Sequence, residues 1–480
     1  MRSQLRKFTQ FANSLLPHET RYLVSCHKFQ DEERLQILQQ VDYNARNINQ
    51  FRPYDTSIDK RKYNHLTTWI KTRLRQADVD NYYAWMLDLE GKINNDSIDP
   101  TEEKQLIRAV KKYTHPRFYF RKFYELLSTY HDFILIRLRY ADQSLISDFL
   151  DAYSDQYRRA NEVADQLRKV ASDVVRQYSG QSVDSRAWIP WLNEVFFDES
   201  LEGYLRYQAL VRLVFISHNH RQYDGMRAPF DYLDRRFERG EFYSKRLLIN
   251  YYNNRLMMHA GFGEYDKAVK YGYLSVRSET HDYLHYVNNL CAVLLRQERA
   301  QEALQLMQRA SGIAKQTKNM HNRVGFVAFN IRTLLANGMH KQAEQYGSIF
   351  LAAYPKEVAR HRWHLFYSVY FEALLECGQA EKLIKTARKY KLTERENELQ
   401  TSKYRVPMLG AYYTIAQYQE GMICLEEMRD KLQKIGLSAI GDQLQENKWS
   451  TKTKKLIRWV PQLAGDLMHW GYKPVESAPL

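Results

Sequence analysis

Two histidines one helical turn apart are the first residues whose type and spacing suggest chemistry. In His281-Asp282-Tyr283-Leu284-His285 the imidazoles have the separation that can hold zinc on a helix. The position where the metalloprotease pattern carries its glutamate base holds Asp282, and no third ligand is identifiable. His218-Asn219-His220 spells a nuclease-like string, but the flanking sequence lacks the ββα surroundings and metal ligands such a site needs. The carboxylate pairs Glu102-Glu103 and Glu426-Glu427 fall at helical positions that solvent explains. No glycine-rich phosphate loop and no G-x-S-x-G elbow occurs. Cys26, Cys291, Cys377 and Cys424 are far apart and form no C-x-x-C pair, so zinc and redox motifs are absent and a reducing compartment fits. The expectation is a protein without cofactor or metal that is not an enzyme.

A second candidate chemistry is phosphate neutralisation. Arg235-Arg236-Phe237-Glu238-Arg239 through Lys245-Arg246 interleaves cations with aromatic rings, the mixture nucleic-acid sites use. Asp231, Asp234, Glu238 and Glu241 offset those charges, which favours salt bridging on a helix surface. The net charge of +15 is unevenly spread. Residues 1–240 carry 37 basic and 33 acidic side chains, against 34 and 23 for residues 241–480. A basic second half can attract nucleic acid, acidic peptides or anionic membranes.

The elements that must position any site are helices. Only 19 glycines and 11 prolines occur in 480 residues, and 44% of residues are hydrophobic, which suits a helical chain with a substantial core. Leu66, Trp69, Ile70 and Leu74 recur at three- and four-residue spacing. Asp99-Pro100 followed by Glu102 and Glu103 is a helix start. Phe118–Tyr140 is apolar around most of its circumference and belongs inside the first half. Ala141–Tyr178, free of Gly and Pro, reads as one long helix of about 55 Å. No secretory signal and no stretch long enough to span a bilayer is apparent. A cytoplasmic protein without membrane insertion is expected.

Between Leu248 and Pro355 the helices recur in pairs. Gly263-Glu264-Tyr265-Asp266-Lys267-Ala268 makes a turn and opens a second helix. Ala303 lies thirty-five residues after Ala268, and Ala343 forty after Ala303. Ala268-x-x-Tyr271-Gly272 recurs as Ala343-x-x-Tyr346-Gly347, and Asn253-Asn254 as Asn288-Asn289. Asn337-Gly338-Met339-His340 is the third turn, and Pro355 is expected to stop the helix after it. A fourth unit, Trp363–Tyr390, turns at Glu376-Cys377-Gly378-Gln379-Ala380, with Leu383 in place of the small alanine. A fifth, Leu409–Ile435, is expected to lack the glycine turn. Gly436–Gly441 then breaks the pattern.

A period near 34 residues with small residues at helix contacts resembles the tetratricopeptide repeat. The resemblance covers mainly residues 248–390. It implies an all-α helical-hairpin superhelix at 241–436, preceded by an α-helical region at 1–240 and followed by a capping helix and tail at 437–480. In that family the first helix of each hairpin lines the concave surface. Aligned on the turns, the resemblance places Asn250, Asn253 and Asn254, then His285, Asn288 and Asn289, then Arg332 in the groove. Asparagine offers donor and acceptor together and can hold a peptide backbone. Ala328 and Phe329 stand where a third Asn pair would continue, so the peptide-carboxylate clamp of some members is not supported. The implied function is protein–protein interaction with a peptide or partner helix. The alternative is a nucleic-acid-associated regulator using the basic half. Asn447–Val460, with Lys448, Lys452, Lys454, Lys455 and Arg458 beside Trp449 and Trp459, reads as a cap on the last repeat or as a basic docking helix.

Overall fold

The computed structural model describes residues 5–47, 50–178, 184–398, 408–439, 456 and 458–464. It is all-helical, with no strand among the described residues. No helix among them is long and apolar enough to cross a membrane. The chain divides into two compact units, Met1–Thr280 and His281–Leu480. The hairpin Lys245–Gly261 with Tyr265–Ser275, which the sequence groups with the repeats, therefore belongs to the first unit.

The first unit opens with helices Arg6–Asn13, Pro17–Cys26, Glu32–Arg46 and Lys60–Ala77. They close around Phe8, Leu23, Leu38, Val41, Tyr63, Leu66 and Ile70, with Trp69 and Leu74 packed at the edge. Helices Val79–Asn94, Pro100–Lys111, Phe120–Ile136 and Tyr140–Ala152 enclose a second cluster that includes Met86, Leu106, Phe123, Tyr130 and Phe149. Asp99 caps Pro100–Lys111, and Glu102 closes the capping box, satisfying donors that a helix start leaves open.

Two expectations fail here. The Gly- and Pro-free stretch after Ala141 is not one helix: it breaks at Tyr153, between Tyr140–Ala152 and Ser154–Tyr178. The aromatic helix is buried along Phe120, Phe123, Leu127, Tyr130 and Ile134, but its far end emerges, leaving Ile136 81% and Leu138 66% exposed.

A buried polar lattice ties the start of the chain to residues more than 200 positions away. The His18 ring meets Tyr252 Oη at 2.7 Å and Asp234 at 2.8 Å. Tyr251 Oη donates to Asp234 at 2.7 Å, and Arg255 pairs with the same carboxylate. Mutual satisfaction is what allows these groups to be buried. Tyr251 and Tyr252 are wholly enclosed, so the lattice positions helices and does not face a substrate.

Among the described residues the second unit holds four pairs, Tyr283–Arg296 with Ala300–Gln316, Met320–Ala336 with His340–Ala353, Trp363–Glu376 with Ala380–Lys389, and Met408–Gln419 with Leu425–Ala439, beside the short helices Pro355–Arg360 and Leu392–Glu398. Each pair turns through one residue in the left-handed region: Glu298 (φ 59°), Gly338 (72°), Gly378 (67°) and Gly421 (66°). After each, a backbone N–H donates to the carbonyl five residues earlier: Arg299 to Leu294 (3.0 Å), Met339 to Leu334, Gln379 to Leu374 and Met422 to Gln417 (2.9 Å each). This is the Schellman closure, which satisfies carbonyls that the helix end leaves open. Gly263 in the first unit does the same, with Glu264 N–H on the His259 carbonyl.

The fifth hairpin therefore has its glycine turn after all. Its second helix starts at Leu425, later after the left-handed residue than in the others, so the small-residue register slips and Met428 and Leu432 fill the core instead. Pro355 follows the end of its helix as expected, and it also opens another. The preceding helix ends at Ala353, and Pro355 occupies the first turn of the short helix Pro355–Arg360, where its missing N–H costs nothing. The helix Leu425–Ala439 runs through Gly436, so the break expected there does not begin at that residue.

Ala268, Ala303 and Ala343 are fully buried in their respective units. Leu456, Val460 and Leu463 bury into the core of the second unit, with Trp459 against Tyr412 at 5.6 Å between ring centroids. That burial suits a cap on the last hairpin. Lys448, Trp449, Lys452, Lys454 and Lys455 lie outside the described residues.

Candidate functional site

The five left-handed turn residues give a common register for the first helices. Asn253 and Asn288 stand ten residues before the turn, as do Ala328, Ser368 and Ala411. All five are buried, Asn253 to 2% and Asn288 to 1% exposure. That register is a packing position, and the two asparagines there face neighbouring structure rather than solvent. Asn288 forms no hydrogen bond through Oδ1 or Nδ2.

Asn254, one residue on, is also buried and donates to Asn250 Oδ1 at 3.1 Å; Tyr207 Oη donates to the same oxygen at 2.7 Å. In the first unit Asn250 and Asn254 are thus joined to each other and to the helix Gly203–His220, while Asn253 Nδ2 lies 3.9 Å from Met257 Sδ. In the second unit His285 and Asn289 are half-buried, with Asn289 Nδ2 and His285 Nε2 3.3 Å apart. Arg332 is half-buried over the Phe329 ring at 5.6 Å.

Thirteen and six residues before the turn, half-buried side chains stand in the second unit at His285 and Ala292, Arg332, and Leu365 and Glu372, whereas Gly325, Met408 and Ile415 at the same registers are buried. Seven residues are two helical turns, so the two registers share a helix face. Leu365 and Glu372 escaped the sequence reading because no Asn marks that hairpin. Their distance from Gly378 was the available signal.

The other sequence candidates take ordinary structural places. His281 precedes the helix that begins at Tyr283, so the two histidines do not share a helical turn. Among the described residues no three His, Cys, Asp or Glu side chains gather as metal ligands. His218 Nδ1 meets Tyr223 Oη at 3.0 Å, and His220 Nε2 meets Gln177 at 2.9 Å. Arg236 pairs with Glu199 and Glu241, and Arg246 pairs with Asp80. Those cations are taken up by carboxylates of the chain.

A cleft in the first unit was not foreseen. Its volume is about 580 Å³, and it is lined by Asp80, Tyr83, Tyr119, Arg121, Lys122, Glu125, Glu202, Tyr204 and Arg246. Four helix starts, at Val79, Phe120, Gly203 and Lys245, bring these residues together. Val79 N–H donates to the Tyr243 carbonyl (2.8 Å), and Tyr204 N–H to that of Phe118 (2.9 Å). Glycine at 203 permits this approach, since a Cβ there would stand 2.4 Å from the Phe118 ring.

Glu202 is 2% exposed and accepts from the Arg121 backbone N–H (2.7 Å) and from its Nε (3.2 Å). Burial pushes its carboxyl up to about 7; the contacts with Arg121 oppose the shift and the nearby Glu125 adds to it. Asp80 is held below the usual carboxylate range, because two 2.9 Å bonds from Arg246 and one from Tyr119 Oη outweigh its desolvation. A carboxylate near neutrality in a cleft is the arrangement that marks functional sites in general.

No protein-family model, no curated protein and no solved structure matches the chain.

Proposed function

We propose that the second unit is a tetratricopeptide-like superhelix that holds an extended peptide or a partner helix against its first helices, and that the protein acts by binding rather than by turnover. The observation that carries this reading is the repetition of one hairpin. All four turns close with the same backbone bond. The first helices also pack in series: Tyr283–Arg296 on Met320–Ala336, that helix on Trp363–Glu376, and that on Met408–Gln419. Stacked hairpins of this kind can leave one face of their first helices available, and its residues are fixed before any ligand arrives.

On this reading His285, Arg332, Leu365 and Glu372 meet the ligand, with Asn289 beside His285. A line of mixed polar and apolar groups suits an extended chain, whose side chains and amides both need partners. Asn288 supports the face from within. The test is capture of partners by the whole protein and by a His285→Ala/Arg332→Ala/Glu372→Ala variant, each with and without nuclease. A protein partner that survives nuclease and is lost with the variant supports the reading. A partner retained by the variant, or lost on nuclease treatment, overturns it, and the second result points to the basic surface instead.

A further inference from the structure

The cleft in the first unit has three carboxylates and three cations on its wall, and one of those cations is drawn to a carboxylate outside it. Arg246 is engaged by Asp80 through both Nε and Nη2. Arg121 is engaged by Glu202 and by Asn161 Oδ1 at 3.2 Å. Lys122 turns to both oxygens of Glu90, at 2.7 and 2.6 Å, and Glu90 is not among the lining residues. Glu125 faces Lys122 at 3.6 Å, beyond hydrogen-bond reach, and its side chain is 42% exposed. The cations are thus committed: Lys122 serves Glu90 outside the cleft as well as Glu125, so Glu125, next to the buried carboxylate of Glu202, has only a shared and looser counter-charge. The remaining wall is aromatic: Tyr83 and Tyr119 lie 4.7 Å apart, and Tyr119 and Tyr204 5.2 Å.

We propose that this cleft binds an organic cation, the ammonium or guanidinium of a small molecule or of a lysine or arginine side chain, seated between Glu125 and Glu202 against the tyrosine rings. Carboxylates supply the charge-assisted bonds and ring faces the cation–π attraction, which strengthens in a site partly closed to water. The volume of about 580 Å³ falls in the range of small-molecule pockets. The ligand's charge holds Glu202 ionised, so binding releases a proton wherever Glu202 was protonated. The titratable and charged groups that line the cleft with Glu202 are Asp80 and Tyr83 from Val79–Asn94, Tyr119, Arg121, Lys122 and Glu125 at Phe120–Ile136, Tyr204 on its own helix, and Arg246 from Lys245–Gly261. Of these, Asp80 is held low. Burial holds Tyr119 well above its ordinary value, and Asp80 on its hydroxyl adds to that.

The experiment is calorimetric titration of the full chain with agmatine, with N-acetyl-arginine amide and with inorganic sulfate, at pH 6 and pH 8. Saturable binding of a cation is expected, tighter at pH 8 by about tenfold as Glu202 ionises. Glu125→Gln, at a partly exposed position, is expected to weaken it at least tenfold without changing the melting curve. Agmatine binding without the arginine amide identifies a small-molecule site; binding of both identifies a site that also takes a side chain. Saturable sulfate binding, or no cation binding at millimolar concentration, overturns the proposal. So does undiminished cation binding in Glu125→Gln.

Discussion

Replacing Gly347 by alanine tests how closely the helices of the second unit approach. Gly347 lies in His340–Ala353, and a Cβ there would meet Tyr370 Cδ2 at 2.5 Å, Cε2 at 3.0 Å and Ile331 Cδ1 at 3.2 Å. None of these neighbours can easily give way. Tyr370 is 1% exposed, with its hydroxyl 2.8 Å from Ser348 Oγ, and Ile331 is fully buried. Gly312, in Ala300–Gln316, is the control, because a Cβ at that position meets nothing within 4 Å. At both sites alanine should gain about 1 kcal/mol from helix propensity. At Gly347 alone, overpacking should cost about 1–3 kcal/mol. The propensity term cancels between the two variants, so Gly312→Ala should be the more stable by about 1–3 kcal/mol. Gly312→Ala itself should exceed the parent. Urea denaturation followed by far-UV circular dichroism reads both differences as shifts in midpoint. Equal stabilisation by the two substitutions would mean that the hairpins do not approach as described.

The left-handed turn at Glu298 (φ 59°) predicts that Glu298→Gly stabilises the protein by about 1 kcal/mol, and that Gly378→Ala, at φ 67°, costs about as much; thermal melting decides the sign of each. His18→Ala should destabilise by about 1–3 kcal/mol, because it strips a partner from Tyr252 and one from Asp234; chemical denaturation checks this. Glu202 has a folded value of about 7, above that of an unfolded glutamate. The folded state therefore binds its proton more tightly, and the group's contribution falls as pH rises from the unfolded value through about 7. The stability of Glu202→Gln relative to the parent should accordingly rise between pH 5 and pH 8 and level off above, and a flat difference across that range would contradict the burial of an ionisable carboxyl there.

Much of the hairpin series, in both units, was legible because glycine at a helix end is a strong local signal. Gly263, Gly338 and Gly378 mark their turns in the sequence, and the spacing of Ala268, Ala303 and Ala343 marks the helix contacts. The same logic misses Glu298, since a glutamate does not advertise a left-handed backbone. It also misses Gly421, because the following helix starts late and the alanine register that should follow is displaced to Met428 and Leu432. The break at Tyr153 has no Gly or Pro to announce it. The asparagine echo marks one position relative to the turn, ten residues before it. Residues with one sequence offset share a register, and that register at Asn253 and Asn288 is packed. The cleft was beyond reach for a different reason. Its residues run from Asp80 to Arg246, and only the packing of four helix starts brings them together.

The most direct test of the account is the comparison of partner capture by the wild-type chain and by the His285→Ala/Arg332→Ala/Glu372→Ala variant, after confirming equal helix content and melting. The account predicts that a protein partner resistant to nuclease is held by the wild type and lost by the variant. Full retention of that partner by the well-folded variant would contradict the claim that the first-helix face of the second unit is the binding surface.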